Sequence, residues 1–204
     1  MRLRSVRWTI GAMLAAGLLS GSPAAWATTY KIDPNHSTVS FKVRHLVSNV
    51  RGMFNQFDGS FTYVPDHPEQ WNANATVQAA SIDTNVPDRD KHLRSKDFFD
   101  VEQYPALTFR STEVTDVTPT GAKLKGVLSL HGVEKPVVLD LEVHGEGKDP
   151  WGNVRSGFTA TTKLNRKDFG IVWNKALDAG QVLVGDDVEV IIEIEGVAET
   201  PKAA

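Results

Sequence analysis

Between Ser37 and Glu195 apolar residues recur at every second position, the period of strands with one buried face. In Ser37–His45, Val39, Phe41 and Val43 share a face, and Ser40, Lys42 and Arg44 share the other. Gly52–Val64 carries Phe54, Phe57, Phe61 and Tyr63, with Gly59 placed where a bulge would bend the strand. Ala75, Val77 and Ala79 alternate with Thr76 and Gln78, and Leu107 and Phe109 with Thr108 and Arg110. Leu124, Leu128 and Leu130 oppose Lys123, Lys125 and Ser129. Three further faces are Val137, Leu139, Leu141 and Val143; then Phe158, Ala160, Thr162 and Leu164; then Val188, Val190, Ile192 and Ile194. The pattern predicts about eight strands, many at hairpin spacing.

One insertion breaks the period. Asn85-Val86-Pro87-Asp88-Arg89-Asp90 offers a capping residue, an early proline and acids in a first turn, so a short helix is expected through His92, Leu93 and Arg94. A second short turn, Asn165–Gly170, follows a strand. Strands with one apolar face each can pack as a sandwich or close as a barrel, and alternation does not choose between them. Small residues among large ones on the inward faces (Ala75, Ala79, Gly126, Ala160) leave room for a ligand or serve as packing taper; spacing alone favours packing.

The N-terminus reads as an export signal. Arg2, Arg4 and Arg7 precede an apolar stretch from Trp8 to about Leu19, and Ala25-Trp26-Ala27 is a small-x-small cleavage site. The stretch is shorter than the roughly 20 residues of a spanning helix. The expected organisation is a cleaved segment 1–27, one domain over 28–199 and a disordered tail 200–204, with a periplasmic location. Cysteine is absent, so no disulfide supports the domain. Loss of the three signal arginines takes the formal charge from −3 to −6. That argues against nucleic acid as a partner and against electrostatic adhesion to an anionic membrane. No stable membrane insertion is expected, and Glu193 and Glu195 near an edge leave a homodimer open.

Catalytic patterns are missing from the sequence. Gly-x-Ser-x-Gly and glycine-rich phosphate loops do not occur. Asp83, Asp90, Asp97, Asp100 and Asp168 stand mostly at helix starts or turns, where aspartate caps backbone N–H groups. His36, His45, His92 and His131 lack the short spacing of zinc motifs, and hydrogen bonds to nearby loops account for them better. No catalytic residue, metal or cofactor is therefore expected.

Several segments, in order and spacing, make the chain similar to the YceI-like family of periplasmic lipocalin-like proteins. They are Tyr30–Ser37, Val50–Phe54, Ser81–Thr84, Arg89–Val101, Leu130–Val133 with Pro136, Asn165–Gly170, and Val184–Asp186. The resemblance implies an all-β fold, an eight-stranded antiparallel barrel with a short helical insertion. It also implies an apolar pore holding a polyisoprenoid or related lipid such as a quinone tail, and no established catalytic residues. Candidate lining residues are Phe41, Val43, Phe54, Phe109, Leu128, Phe158 and Phe169, with Trp173 to close an end. Arg51, Arg89 and Arg94 are candidates to grip a polar head at the mouth, since guanidinium suits phosphate; the competing reading for Arg89 and Arg94 is ion pairing with Asp88, Asp90 or Asp97. Two alternatives stand beside lipid carriage: a histidine-dependent metalloprotein or enzyme, and a ligand-free interaction protein.

Overall fold

The computed structural model describes residues 27–176 and 182–199. The expected export signal, save Ala27, and the C-terminal tail lie outside the described residues. The chain forms a closed antiparallel barrel of eight staves in which each stave pairs with its neighbours in chain order. Strands β1 (Thr28–Ile32) and β2 (Thr38–His45) act as one stave broken by a turn, and β3 (Ser48–Phe54) and β4 (Phe57–Tyr63) as the next. The third stave is β5 (Asn72–Gln78), continued by the two-residue β6 (Ile82–Asp83). The other five are β7 (Ala106–Thr118), β8 (Gly121–Leu130), β9 (Val133–Lys148), β10 (Val154–Asn165) and β11 (Val184–Ala198). Closure comes from β11, which pairs with β2 through Val188↔Val43 to Glu193↔Thr38 and with β1 through Ile32↔Gly196 to Tyr30↔Ala198. The two ways of burying these faces are thus decided in favour of the barrel, which leaves no open sheet edge along the ring.

The breaks within staves have physical causes. Phe54 and Phe57 are an odd number of residues apart, so an unbroken strand would put them on opposite faces. The Asn55–Gln56 break restores the parity, and both rings reach the interior. The break is bonded to the third stave: Asn55 N–H donates to Ser81 O at 3.1 Å and Gln78 N–H to Gln56 O at 2.9 Å. Gly59 is not the expected bulge. Its register with β5 runs uninterrupted from Phe57↔Val77 to Thr62↔Asn72, and a Cβ there would lie 2.3 Å from Asn74 O. Glycine is required by close approach of the neighbouring backbone. Register shifts fall instead between Gly157 and Phe158, between Ser111 and Glu113, and between Val184 and Val188.

The helical insertion is present as α1 (Pro87–Arg94), with proline in its first turn. Asn85 does not cap it. Val86 occupies the N-cap position and Asn85 has φ 64°. The buried Asp90 carboxylate instead holds the approach to the helix, accepting from Thr84 N–H at 2.9 Å and Thr84 Oγ1 at 2.5 Å.

Candidate functional site

The inward faces do not meet at the barrel axis. They enclose a cavity of about 310 Å³ whose wall is almost entirely carbon. Every stave contributes, and on β10 the whole inward set of Phe158, Ala160, Thr162 and Leu164 borders it. Ala75 and Ala160 line it as well, but Gly126 leaves no space for a ligand: a Cβ there would stand 2.4 Å from the Phe109 ring, so that ring fills the gap.

The two ends of the cavity are built differently. At one end Tyr30, Phe61, Tyr63, Trp71 and Phe158 form an aromatic stopper. Tyr30 and Phe61 stack at 5.1 Å, Phe158 meets Phe61 and Tyr63 edge-on at 5.2 Å, and Tyr63 lies 4.8 Å from Trp71. Such geometry uses the ring quadrupoles as well as the buried area. Polar tips are satisfied: the Tyr30 hydroxyl donates to Glu146 Oε1 and Trp71 Nε1–H to Val64 O at 2.7 Å. Burial, reinforced by the Glu146 carboxylate, raises the Tyr30 hydroxyl well above the usual phenol range. Outside the stopper, Arg155 ties three carboxylates from distant segments: Asp33 and Asp149 at 2.9 Å and Glu195 at 2.5 Å.

The other end is covered by α1, by the segment following it, and by a strap of residues 171–176. Leu93, Phe98, Phe99, Phe169 and Ile171 border the cavity here. Arg166, 6% exposed in the short 3-10 turn Arg166–Phe169, borders the cavity beside them. Its Nη1 donates to Ile171 O at 2.7 Å and Trp173 O at 2.8 Å, and its Nε to Gly185 O at 2.9 Å. Burial draws its guanidinium below the ordinary arginine value, an effect partly offset by Asp186. The residue clamps the strap to the start of β11. Asn165 caps the turn by accepting from Lys167 N–H, and Gly170 ends it in the left-handed region at φ 78°.

Seven of the eleven residues singled out from sequence border the cavity: Phe41, Val43, Phe54, Phe109, Leu128, Phe158 and Phe169. Trp173 does not border it but packs over that end, 5.1 Å from Phe98 and edge-on to His92 at 4.9 Å. The three arginines are not on the wall. Arg51 is exposed on the outer face of β3, in register with Lys42. Arg89 donates to Thr84 Oγ1 and O at 2.7 Å. Arg94 donates to Ala80 O at 2.7 Å and Ile82 O at 2.6 Å. These last two are therefore partnered by neutral groups rather than by Asp88, Asp90 or Asp97, and they staple the insertion to the barrel. Leu93 in the helix α1, and Arg166, Phe98, Phe99 and Ile171 in turns and loops, were missed because no period-2 pattern marks an inward face there.

Three of the four candidate histidines hold loops. His131 Nδ1 is 3.1 Å from Phe169 O, His92 Nε2 is 2.8 Å from Asp97, and His36 Nδ1 is 2.8 Å from Asp33. Asp33, His36 and Glu195 come close enough together to hold a metal, but Arg155 already bridges both carboxylates.

The sequence model of the YceI-like domain matches residues 30–196, from the first strand to the last. The chain belongs to the YceI-like family. It is 44% identical over 196 residues to a UPF0312 protein of Photorhabdus laumondii, a match covering 94% of this chain and 97% of that one. Among solved structures, Burkholderia cenocepacia BcnA superposes with TM-score 0.72 at 22% identity, covering 80% of this chain and 98% of that one. A polyisoprenoid binding domain from Saccharophagus degradans superposes with TM-score 0.60 at 15% identity, covering 83% and 98%. At these identities the two structures speak for the shared barrel. Within the family's boundaries, the cavity described above is the interior of a YceI-like barrel rather than a gap between separate parts.

Proposed function

We propose that this protein is a periplasmic binding protein that carries a long apolar lipid, a polyisoprenoid or an isoprenoid quinone, inside its barrel and performs no catalysis. The observation behind this reading is the barrel cavity of about 310 Å³ with a carbon wall. It falls within the size range of ligand sites and lacks the convergent polar groups that a reaction would need. The polyisoprenoid binding described for the Saccharophagus degradans domain points to the same class of cargo. The positive, apolar and small-residue order of residues 1–27 is the basis for the location.

The energetics are adequate. Enclosing one five-carbon unit contributes roughly 3–4 kcal/mol, and micromolar affinity needs about 8 kcal/mol in total. A few enclosed units outweigh association costs of several kcal/mol. A uniform wall separates tails by only about 1–3 kcal/mol per methylene, so length is read coarsely. Organic extraction of the purified protein followed by mass spectrometry tests the reading, and a prenyl or quinone chain at stoichiometric yield is the expected result. Phe158→Asp, which puts a charge beside Phe61, should abolish retention. Ala160→Leu, which narrows the cavity without adding charge, should lower it. An apoprotein that also refuses prenyl and quinone ligands sinks the proposal.

A further inference from the structure

The end covered by α1 and the strap also carries exposed aliphatic side chains. Leu46 and Val47 form the tip between β2 and β3, Val172 projects from the strap, and Val182 precedes β11. They are 41%, 85%, 63% and 50% exposed. Single exposed aliphatics need no explanation, but these four are held together. Leu46 N–H donates to Leu183 O at 2.9 Å, Leu183 N–H to Lys175 O at 3.1 Å, and Ala176 pairs with Val182. Arg166 holds the carbonyls on both sides of Val172 against Gly185. The patch also lies beside the cavity: Ile171, next to Val172, and Val184, two residues after Val182, line its wall. At the opposite end Trp151 in the β9–β10 turn and Val117 beside the β7–β8 turn are exposed, but they stand in separate turns.

We propose that this rim docks on the surface of a phospholipid bilayer, and that cargo enters and leaves the barrel there. The inference rests on the lipid-carrier reading, since a cargo of that class resides in a bilayer before it is bound. An apolar rim around the covered end lets a chain pass from acyl region to cavity without crossing water. The exposed Arg44, whose Nε donates to Leu46 O at 2.9 Å, and Lys175 border the patch and offer cations to lipid phosphates. Docking then depends on local insertion of aliphatic side chains and tolerates a net negative chain.

The test uses the full barrel and vesicles of phosphatidylethanolamine and phosphatidylglycerol. Wild-type protein should co-sediment with the vesicles, and the double variant Val47→Asp/Val172→Asp should lose that association by roughly ten-fold or more. Trp151→Asp, at the opposite end, should retain it. Both valines are exposed, so the core is untouched. Uptake of a fluorescent prenyl probe separates the two claims. Delivered from cyclodextrin, it should reach the same occupancy in wild-type and double variant; delivered from vesicles, it should load roughly ten-fold more slowly in the double variant. No uptake from cyclodextrin overturns the carrier reading. Vesicle association that is absent from wild-type, or equal in both, overturns docking even if the barrel binds the probe. A wild-type dimer that the double substitution splits, without vesicle binding, assigns the patch to a second copy instead.

Discussion

The barrel's two ends are closed by opposite means. The stopper end is shut by side chains that face one another inside the sheet: five aromatic rings in mutual contact and a hydroxyl bonded to Glu146. Around it Arg155 joins the β1–β2 turn, the β9–β10 turn and β11. Opening this end would break the sheet. The covered end is shut by pieces laid across it, α1 and the strap, which hydrogen bonds to backbone carbonyls hold in place. Opening it requires only that these pieces lift while the staves stay paired. Local openings of that kind cost less than global unfolding. The difference teaches that a closed barrel can cap its two ends by different means, rings within the sheet at one and pieces laid over it at the other, without any change in strand count.

The strongest way to break this comparison is at the stopper. Phe61→Ala removes a 7% exposed ring that touches Tyr30 and Phe158, and should cost about 4 kcal/mol in urea unfolding. A loss under about 1 kcal/mol would mean the rings are not a packed unit. Arg166→Met at the other end comes next. It leaves the carbonyls of Ile171, Trp173 and Gly185 without their donor and should cost about 3 kcal/mol. Its distinguishing signature is local. Amide exchange should accelerate in residues 171–175 while β4 and β10 keep their protection relative to global stability. Uniform acceleration would show that the clamp serves the whole sheet rather than the cover.

How legible each end was in sequence follows from the same contrast. Four of the five stopper rings are on strands, Trp71 standing just before β5, and period-2 alternation had already put Phe61, Tyr63 and Phe158 on inward faces. Phe41, Val43, Phe54, Phe109 and Leu128 were found on the same grounds, and the barrel wall with them. The cover is made of residues in turns. Nothing periodic marks Phe98, Phe99 or Ile171 as facing inward, and Arg166 reads as one basic residue among several. Arg89 and Arg94 misled because sequence displays acidic side chains as partners and hides carbonyl oxygens. Thr84, Ala80 and Ile82 supply those acceptors only after the chain has folded. Gly126 agrees with the packing reading that spacing favoured: the Phe109 ring occupies the place its absent side chain leaves.

The smallest expected effect concerns the ionic ring outside the stopper. Asp33 is held at a pKa of about 2, chiefly by the Arg155 guanidinium and then by His36 and the Asn35 N–H. Asp149 is likewise held at about 2, first by the Asn153 side chain and then by Arg155 and the N–H groups of Asn153 and Trp151. An unfolded aspartate titrates near 3.9, roughly two units higher. In that interval the unfolded chain binds more protons than the folded one, so acid favours unfolding. The stabilisation is present in full above about pH 4 and disappears as pH falls through about 2. Thermal unfolding followed from pH 5 downward should therefore show a melting temperature that drops across this window. Asp33→Asn should start a few degrees lower at pH 5 and lose less on acidification, because one of the two aspartates held low beside Arg155 is gone. If wild-type and variant fall in parallel, Arg155 and its carboxylates contribute nothing to keeping that end shut, and the aromatic rings alone account for its closure.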